Sequence, residues 1–259
     1  MLELQAALLA LAALALLAAL GWALSAAKRD VSIVDSLWPL FFLLGALAYA
    51  ALAGAAGPRT LLLFVLVTFW ALRLGGYLTW RNWGEPEDRR YQAIRARNEP
   101  GFAWKSLYLV FGLQALLAWV IAMPLFAGLS SAAPLSAIDY AGVALWIFGF
   151  SFETIADWQL ARFKADPASR GRVLDSGLWR YTRHPNYFGE AVLWWGLFLI
   201  ALAAGGGWTV FAPILMTILL LKVSGVALLE KDIGERRPDY HDYIARTNAF
   251  IPGPPRASA

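Results

Sequence analysis

Seven stretches of about twenty residues, at 5–26, 31–53, 60–80, 105–128, 136–158, 186–204 and 208–230, are dominated by apolar side chains. A helix needs about 20 such residues to cross bilayer hydrocarbon, where each backbone N–H and C=O must find its partner inside the segment. A chain patterned this way is expected to be all-α: a polytopic membrane bundle of seven transmembrane helices. Composition agrees, with 59% hydrophobic and 15% charged residues and a mean hydropathy of +0.55. One water-soluble core of 259 residues cannot hide that surplus. Gly57-Pro58, Ala133-Pro134 and Gly205-Gly206-Gly207 break the chain between spans. With no internal repeat or low-complexity linker, residues 1–259 read as a single seven-helix membrane domain.

The first span is expected to be a retained helix. A secretory signal carries its positive charge before the apolar run, whereas here Glu3 precedes it and Lys28 and Arg29 follow. Lys and Arg then set the orientation. In a seven-span arrangement, 19 of the 22 fall on one side: Lys28 and Arg29, the 81–105 connection, the 162–183 connection, and Lys231, Arg236, Arg237, Arg246 and Arg256 in the tail. The opposite loops carry Arg59, while Arg73 and Lys222 lie within spans. The amino terminus is therefore expected outside and the carboxyl terminus in the cytoplasm, as in a bacterial inner membrane. These basic loops fit anionic lipid headgroups, and their distribution gives no reason to expect nucleic acid.

The chain has no cysteine and two histidines, His184 and His241, so thiolate and histidine-rich metal centres are not expected. No glycine-rich Rossmann or Walker loop is present, and any nucleotide would be held by the bundle itself. Charges inside spans are costly and usually face a cavity or a partner. Asp35, Arg73, Glu153, Asp157, Glu190, Lys222 and Glu230 occupy such positions. Arg73 and Tyr77, Glu153 and Asp157, and Asn186 and Glu190 are each four residues apart, which places each pair on one helical face. Two readings stay open: interhelical pairs that only fix packing, or a pocket for a polar, anionic cofactor. In the second, Arg73, Arg180, Arg183 and Arg246 suit phosphates, while the carboxylates and Asn186 suit ribose hydroxyls or a carboxamide. His184, followed by Pro185, fits equally a helix cap or a role in chemistry.

The segment Gly177-Leu178-Trp179-Arg180-Tyr181-Thr182-Arg183-His184-Pro185-Asn186-Tyr187-Phe188-Gly189-Glu190 resembles bacterial steroid 5-alpha-reductase-like membrane proteins. The likeness extends from Ser32 through Val34-Asp35-Ser36-Leu37-Trp38, Trp70-Ala71-Leu72-Arg73-Leu74 and Asp88-Arg89-Arg90-Tyr91 to the closing Tyr243-Ile244-Ala245-Arg246-Thr247-Asn248-Ala249-Phe250-Ile251-Pro252. The resemblance implies a seven-helix fold that binds NADPH and delivers hydride to a conjugated enone. It places Glu153 and Asp157 on the cofactor, Asn186 and Glu190 on its nicotinamide half, and Arg73 at the position of an arginine in the third helix. Arg180, Tyr181, Arg183, His184, Tyr187, Tyr240, Tyr243 and Arg246 complete the expected cofactor set. The chain departs from steroid reductases on the substrate side. Asp35-Ser36 stands where they carry a Gln-Glu pair, and Trp70 falls near a Tyr. Asp35, as a proton donor, and Tyr77 are the candidate catalytic residues.

The Arg-His-Pro-x-Tyr-x-Gly pattern with the late Glu230 and a Tyr-x-x-Tyr tail also resembles membrane methyltransferases of isoprenylcysteine and phospholipid amines, which hold S-adenosylmethionine. Three functions are therefore weighed. The first is an NADPH-dependent reductase of a lipophilic enone or alkene drawn from the bilayer. The others are an S-adenosylmethionine-dependent methyltransferase and a lipid-binding or assembly subunit without catalysis.

Overall fold

A computed structural model describes residues 1–54, 57–223, 226, 230 and 237–256. Lys231 and Arg236, and part of the expected seventh span, lie outside the described residues. Within them the secondary structure is helical, without a strand. Six helices are long and apolar enough to cross a membrane: α1 (Leu2–Lys28), α2 (Ile33–Ala53), α3 (Pro58–Asn82), α5 (Phe102–Ile121), α7 (Ala137–Ala165) and α8 (Pro185–Ala203). Between them lie α4 (Arg89–Asn98) and α6 (Met123–Leu129). A shorter apolar helix, Gly207–Lys222, contains α9 (Phe211–Ile218) and runs into a π-helical turn. The short α10 (Tyr240–Arg246) lies in the tail.

The expected fourth span, 105–128, is two helices here. The chain steps at Ala122, and Pro124, which has no N–H to donate, opens the second helix in its first turn. The fifth helix runs past position 158 to Ala165, adding a polar turn that hydropathy alone does not mark. Two compact units make up the chain: residues 1–138 with 200–212, and 139–199 with 213–259.

In the first unit, α1 buries one narrow stripe of Ala6, Ala10, Leu14, Ala18, Gly21 and Ser25, while Leu4, Leu8, Leu16 and Leu20 remain exposed. Lipid is as apolar as leucine, so small residues that let backbones approach, rather than a greasy face, mark the buried side. A Cβ on Gly21 would fall 2.2 Å from Leu37 of α2. Phe41, Phe42, Leu63, Trp70, Phe111 and Leu125 fill the core, with Phe42 set edge-on to Trp70 at 5.5 Å.

In the second unit, α7 and α8 meet backbone to backbone. A Cβ on Gly189 would lie 2.5 Å from the Glu153 nitrogen and 2.6 Å from the Gly149 oxygen. One on Gly149 would lie 2.5 Å from the Leu193 nitrogen, and one on Gly196 2.7 Å from Trp146 N and Gly142 O. Three glycines thus set the helix spacing, and the same contact lays Glu153 beside the start of α8.

Candidate functional site

The loop from Gly177 to His184 is shaped before it enters α8. Gly177 takes φ +61° and lies so close to Gln159 that a side chain would collide with it. The Gln159 side-chain oxygen accepts the Leu178 amide at 3.0 Å, and Trp179 Nε1 donates to the Ala156 carbonyl at 3.2 Å. Both bonds fasten the loop to α7. Pro185 then starts α8, and the His184 carbonyl accepts the Phe188 amide at 3.0 Å as the first bond of the helical ladder.

Arg183 and His184 converge on Glu230. Arg183 donates from Nε to Oε1 at 2.7 Å and from Nη2 to Oε2 at 2.8 Å, a bidentate fork. Its Nη1 donates to the carbonyls of Thr247 at 2.5 Å and Ile244 at 3.3 Å. His184 Nε2 lies 2.9 Å from Glu230 Oε1, and the Tyr240 hydroxyl donates to the same oxygen at 3.4 Å. Burial, reinforced by the Glu230 charge, pushes the Tyr240 phenol up from its ordinary pKa. Tyr243 donates to the carbonyls of Trp179 and Thr182. Thr182 Oγ1 donates to the Phe250 carbonyl at 2.8 Å, and the Arg183 amide to the Asn248 carbonyl at 2.9 Å. Arg183, Tyr240 and Tyr243, expected to face a cofactor, are engaged in tying the tail to the mouth of α8. His184 serves both readings: its carbonyl starts the helix, and its ring is held by Glu230 and stacked on Tyr187 at 5.6 Å.

Beside this clamp, Asn186 Nδ2 donates to Asp157 Oδ1 at 3.1 Å, joining the polar pair of α8 to that of α7. Glu153, Asp157 and Glu190 are all buried. Asn186 Oδ1 is buried too and has no hydrogen-bond partner among the described residues. Arg180 and Tyr181 are exposed next to this group, and Arg246 is half-exposed, its Nη2 3.4 Å from Asp175. A buried acceptor close to exposed cations suits a ligand with an amide or hydroxyl at one end and phosphate at the other.

The first unit holds the other group of expected residues. Asp35, in the first turn of α2, accepts from Arg90 Nη2 at 2.7 Å and from the Tyr91 hydroxyl at 2.6 Å. Gln114 Nε2 donates to the Tyr91 oxygen at 3.3 Å. A π-helical turn, Leu107–Gly112, precedes Gln114 and resets the face it presents. Burial, then the Asp35 charge, raises the Tyr91 phenol well above its ordinary pKa. Asp35 is thus an acceptor in both contacts, and the transferable proton of the group sits on Tyr91. The flanking Glu87 accepts from Arg95 at 2.7 Å and from the Val31 amide at 2.9 Å, while the Asp88 amide donates to Ser32 Oγ at 2.7 Å. This clasp pins the loop after α3 to the start of α2. Tyr77 lies in a separate aromatic group with Trp80 and the Arg81 guanidinium, and Arg73 is half-buried one turn before it.

Sequence reasoning gave no role to Tyr91, Arg90 or Gln114, and it singled out Glu230 without pairing it with Arg183. No local signal marks these pairings, since each joins segments far apart in the chain.

A family model described as "Protein of unknown function (DUF1295)" matches residues 21–247. An uncharacterized protein of Schizosaccharomyces pombe is 27% identical over 266 residues, which cover 89% of this chain and 75% of that protein. No solved structure matches the chain.

Proposed function

As the chain belongs to the DUF1295 family, which includes steroid 5-alpha-reductase-like proteins, we propose that it is a membrane-embedded NADPH-dependent reductase of a lipophilic enone or alkene. The observation that carries this reading is the buried Asn186 Oδ1, an acceptor without a partner among the described residues, set in a band of buried carboxylates. The residues fit the cofactor. Asn186 would accept from the carboxamide of the nicotinamide. Glu153, Asp157 and Glu190 would receive ribose or carboxamide donors, and Arg180 and Arg246 would hold phosphates. NADPH would supply the hydride. The chain itself would position that cofactor and exclude water.

The proton that balances hydride addition would be taken from solvent or from an acid beside the substrate carbon. In the first unit, the Tyr91 phenol donates to Asp35, which Arg90 holds. The bundle is read as seven crossings with the amino terminus outside and the site facing the cytoplasm.

Titration of the detergent-purified protein with NADPH, NADH and S-adenosylmethionine, followed by thermal unfolding, tests the reading. Stabilisation by NADPH, lost in Asn186→Ala and reduced in Arg180→Ala, is the expected result. Stabilisation by S-adenosylmethionine without NADPH would overturn it in favour of a methyltransferase.

A further inference from the structure

A cavity of about 510 Å³ lies in the first unit, where the amino end of α1 meets Tyr49 of α2, the carboxyl end of α6 and the chain that follows α8. Glu3, Tyr49, Ser130, Ser131, Gly205 and Trp208 are among its lining residues. We infer that it binds a small organic primary ammonium, of the kind an amino alcohol carries.

Two glycines build one wall. Gly205, at φ +86°, turns the chain after α8, and a Cβ on Gly206 would fall 2.7 Å from Ala127, so that glycine lays the chain against α6. The wall also supplies negative potential. The last turn of α8, residues 200–203, belongs to the same unit, and a helix carboxyl end carries about half a negative charge. Just beyond it, the carbonyls of Ala204 and Gly205 accept no hydrogen bond among the described residues.

Among the described residues that line the cavity, Glu3 alone carries a formal charge, and its carboxylate pairs with no cation among them. Its place in the first turn of α1 is favourable by itself, since a helix amino end carries about half a positive charge. A whole negative charge there still leaves a surplus. Arg59 stands behind Ser131 and is 1% exposed. Its Nη1 donates to Ser131 Oγ at 2.8 Å and the Ala133 carbonyl at 3.2 Å, and its Nη2 to the Pro134 carbonyl at 3.2 Å. A ligand in the cavity does not reach that guanidinium, so an anion would find no counter-charge.

The lining also separates primary from quaternary ammonium. Tyr49 and Phe126 stack on each other at 4.6 Å with ring planes 4° apart, which covers a face of each and leaves no open aromatic cage. Hydrogen-bond acceptors stand there instead. Ser130 Oγ donates to the Phe126 carbonyl at 3.1 Å, so the Tyr49 hydroxyl gives its proton to Ser130 and keeps its own oxygen as an acceptor. Ser131 differs: its oxygen accepts from Arg59 and, at 3.4 Å, from the Ala133 amide, which leaves its proton for a ligand oxygen. A nitrogen rich in N–H donors with an oxygen close by matches this set. The site asks nothing of the reductase reading.

Photolabelling of the full chain in phosphatidylcholine nanodiscs with a diazirine-bearing primary alkylamine is the test. Label should fall on the 123–131 and 204–210 peptides, and ethanolamine should compete where tetramethylammonium and acetate do not. Glu3→Gln, at an exposed position, should lower labelling about threefold or more, and Glu3→Asp should retain it. Ala204→Phe obstructs the cavity and should lower labelling about tenfold or more; should it not fold, the Glu3 pair decides. Nanodiscs containing phosphatidylethanolamine distinguish the source of the ammonium. Unchanged labelling there supports a free amine, and suppressed labelling supports a lipid headgroup in the same site. Competition by tetramethylammonium or acetate equal to that by ethanolamine, or unchanged labelling in folded Glu3→Gln, would overturn the inference.

Discussion

Glu230 and Arg183 show how a charge near a membrane is made tolerable, and they redistribute the roles of the arginines. The guanidinium spends Nε and Nη2 on one carboxylate and Nη1 on two backbone carbonyls, so it acts as a clamp for residues 244–247. Both side chains are largely buried, at 9% and 16% exposure. Removing one partner of such a pair leaves an uncompensated buried charge, which costs about 3 kcal/mol. Arg183→Lys keeps the charge but cannot form the fork, and should unfold several degrees below wild type in a detergent thermal melt. Glu230→Gln should do the same. Arg180→Ala should melt like wild type and lose part of the nucleotide response, because that arginine is exposed. If Arg183→Lys melts normally and only nucleotide binding weakens, Arg183 reads a ligand and the clamp assignment is wrong.

At the scale of elements, the α7–α8 contact and the Asp35 clasp carry most of the weight. Gly189 packs against backbone atoms of Gly149 and Glu153, which cannot rotate away as a side-chain end can. Gly189→Ala should therefore destabilise by about 1–3 kcal/mol and disturb Asn186 and Asp157 with it. A thermal melt together with loss of the NADPH shift would register both effects, and a variant stable as wild type would refute the close contact. The clasp predicts a pH dependence. Burial alone would raise the Glu87 carboxyl, but the Arg95 hydrogen bonds, the Val31 amide and the Arg95 charge outweigh burial and hold it below the usual carboxylate range. Asp88 is lowered likewise, burial being outweighed by Arg90. A depressed folded pKa stabilises above the unfolded value of about 4 and loses that stabilisation as pH falls through the folded value. Amide exchange in residues 83–98 should thus accelerate in acid, relative to the remainder of the chain and after correction for intrinsic rates. Exchange that is flat with pH would remove the clasp.

Across the whole molecule, what the sequence made legible follows from range. Hydropathy located four of the six long helices to within three residues and missed one end of the other two by seven, and four-residue spacing put Glu153 with Asp157 and Asn186 with Glu190, because both signals are local. Periodicity says nothing about contacts between distant segments, so the pairing of Asp35 with Arg90 and Tyr91, and of Arg183 with Glu230, was not readable. The same long-range bonds bear on how often the chain crosses the bilayer. Residues 247–250 are hydrogen-bonded to Thr182 and Arg183 at the mouth of α8. From there α8 rises about 28 Å over its 19 residues. In the proposed topology the return to that mouth is a seventh crossing, which would begin with Gly207–Lys222. In the proposed orientation that mouth faces the cytoplasm. With no native cysteine, single-cysteine variants report position cleanly. In intact cells a membrane-impermeant maleimide should label Ala132→Cys, whereas Ala168→Cys and Arg256→Cys should react only after lysis. Labelling of Arg256→Cys from outside would mean six crossings, and labelling of Ala168→Cys from outside would invert the molecule and move the proposed NADPH site away from the compartment that holds NADPH.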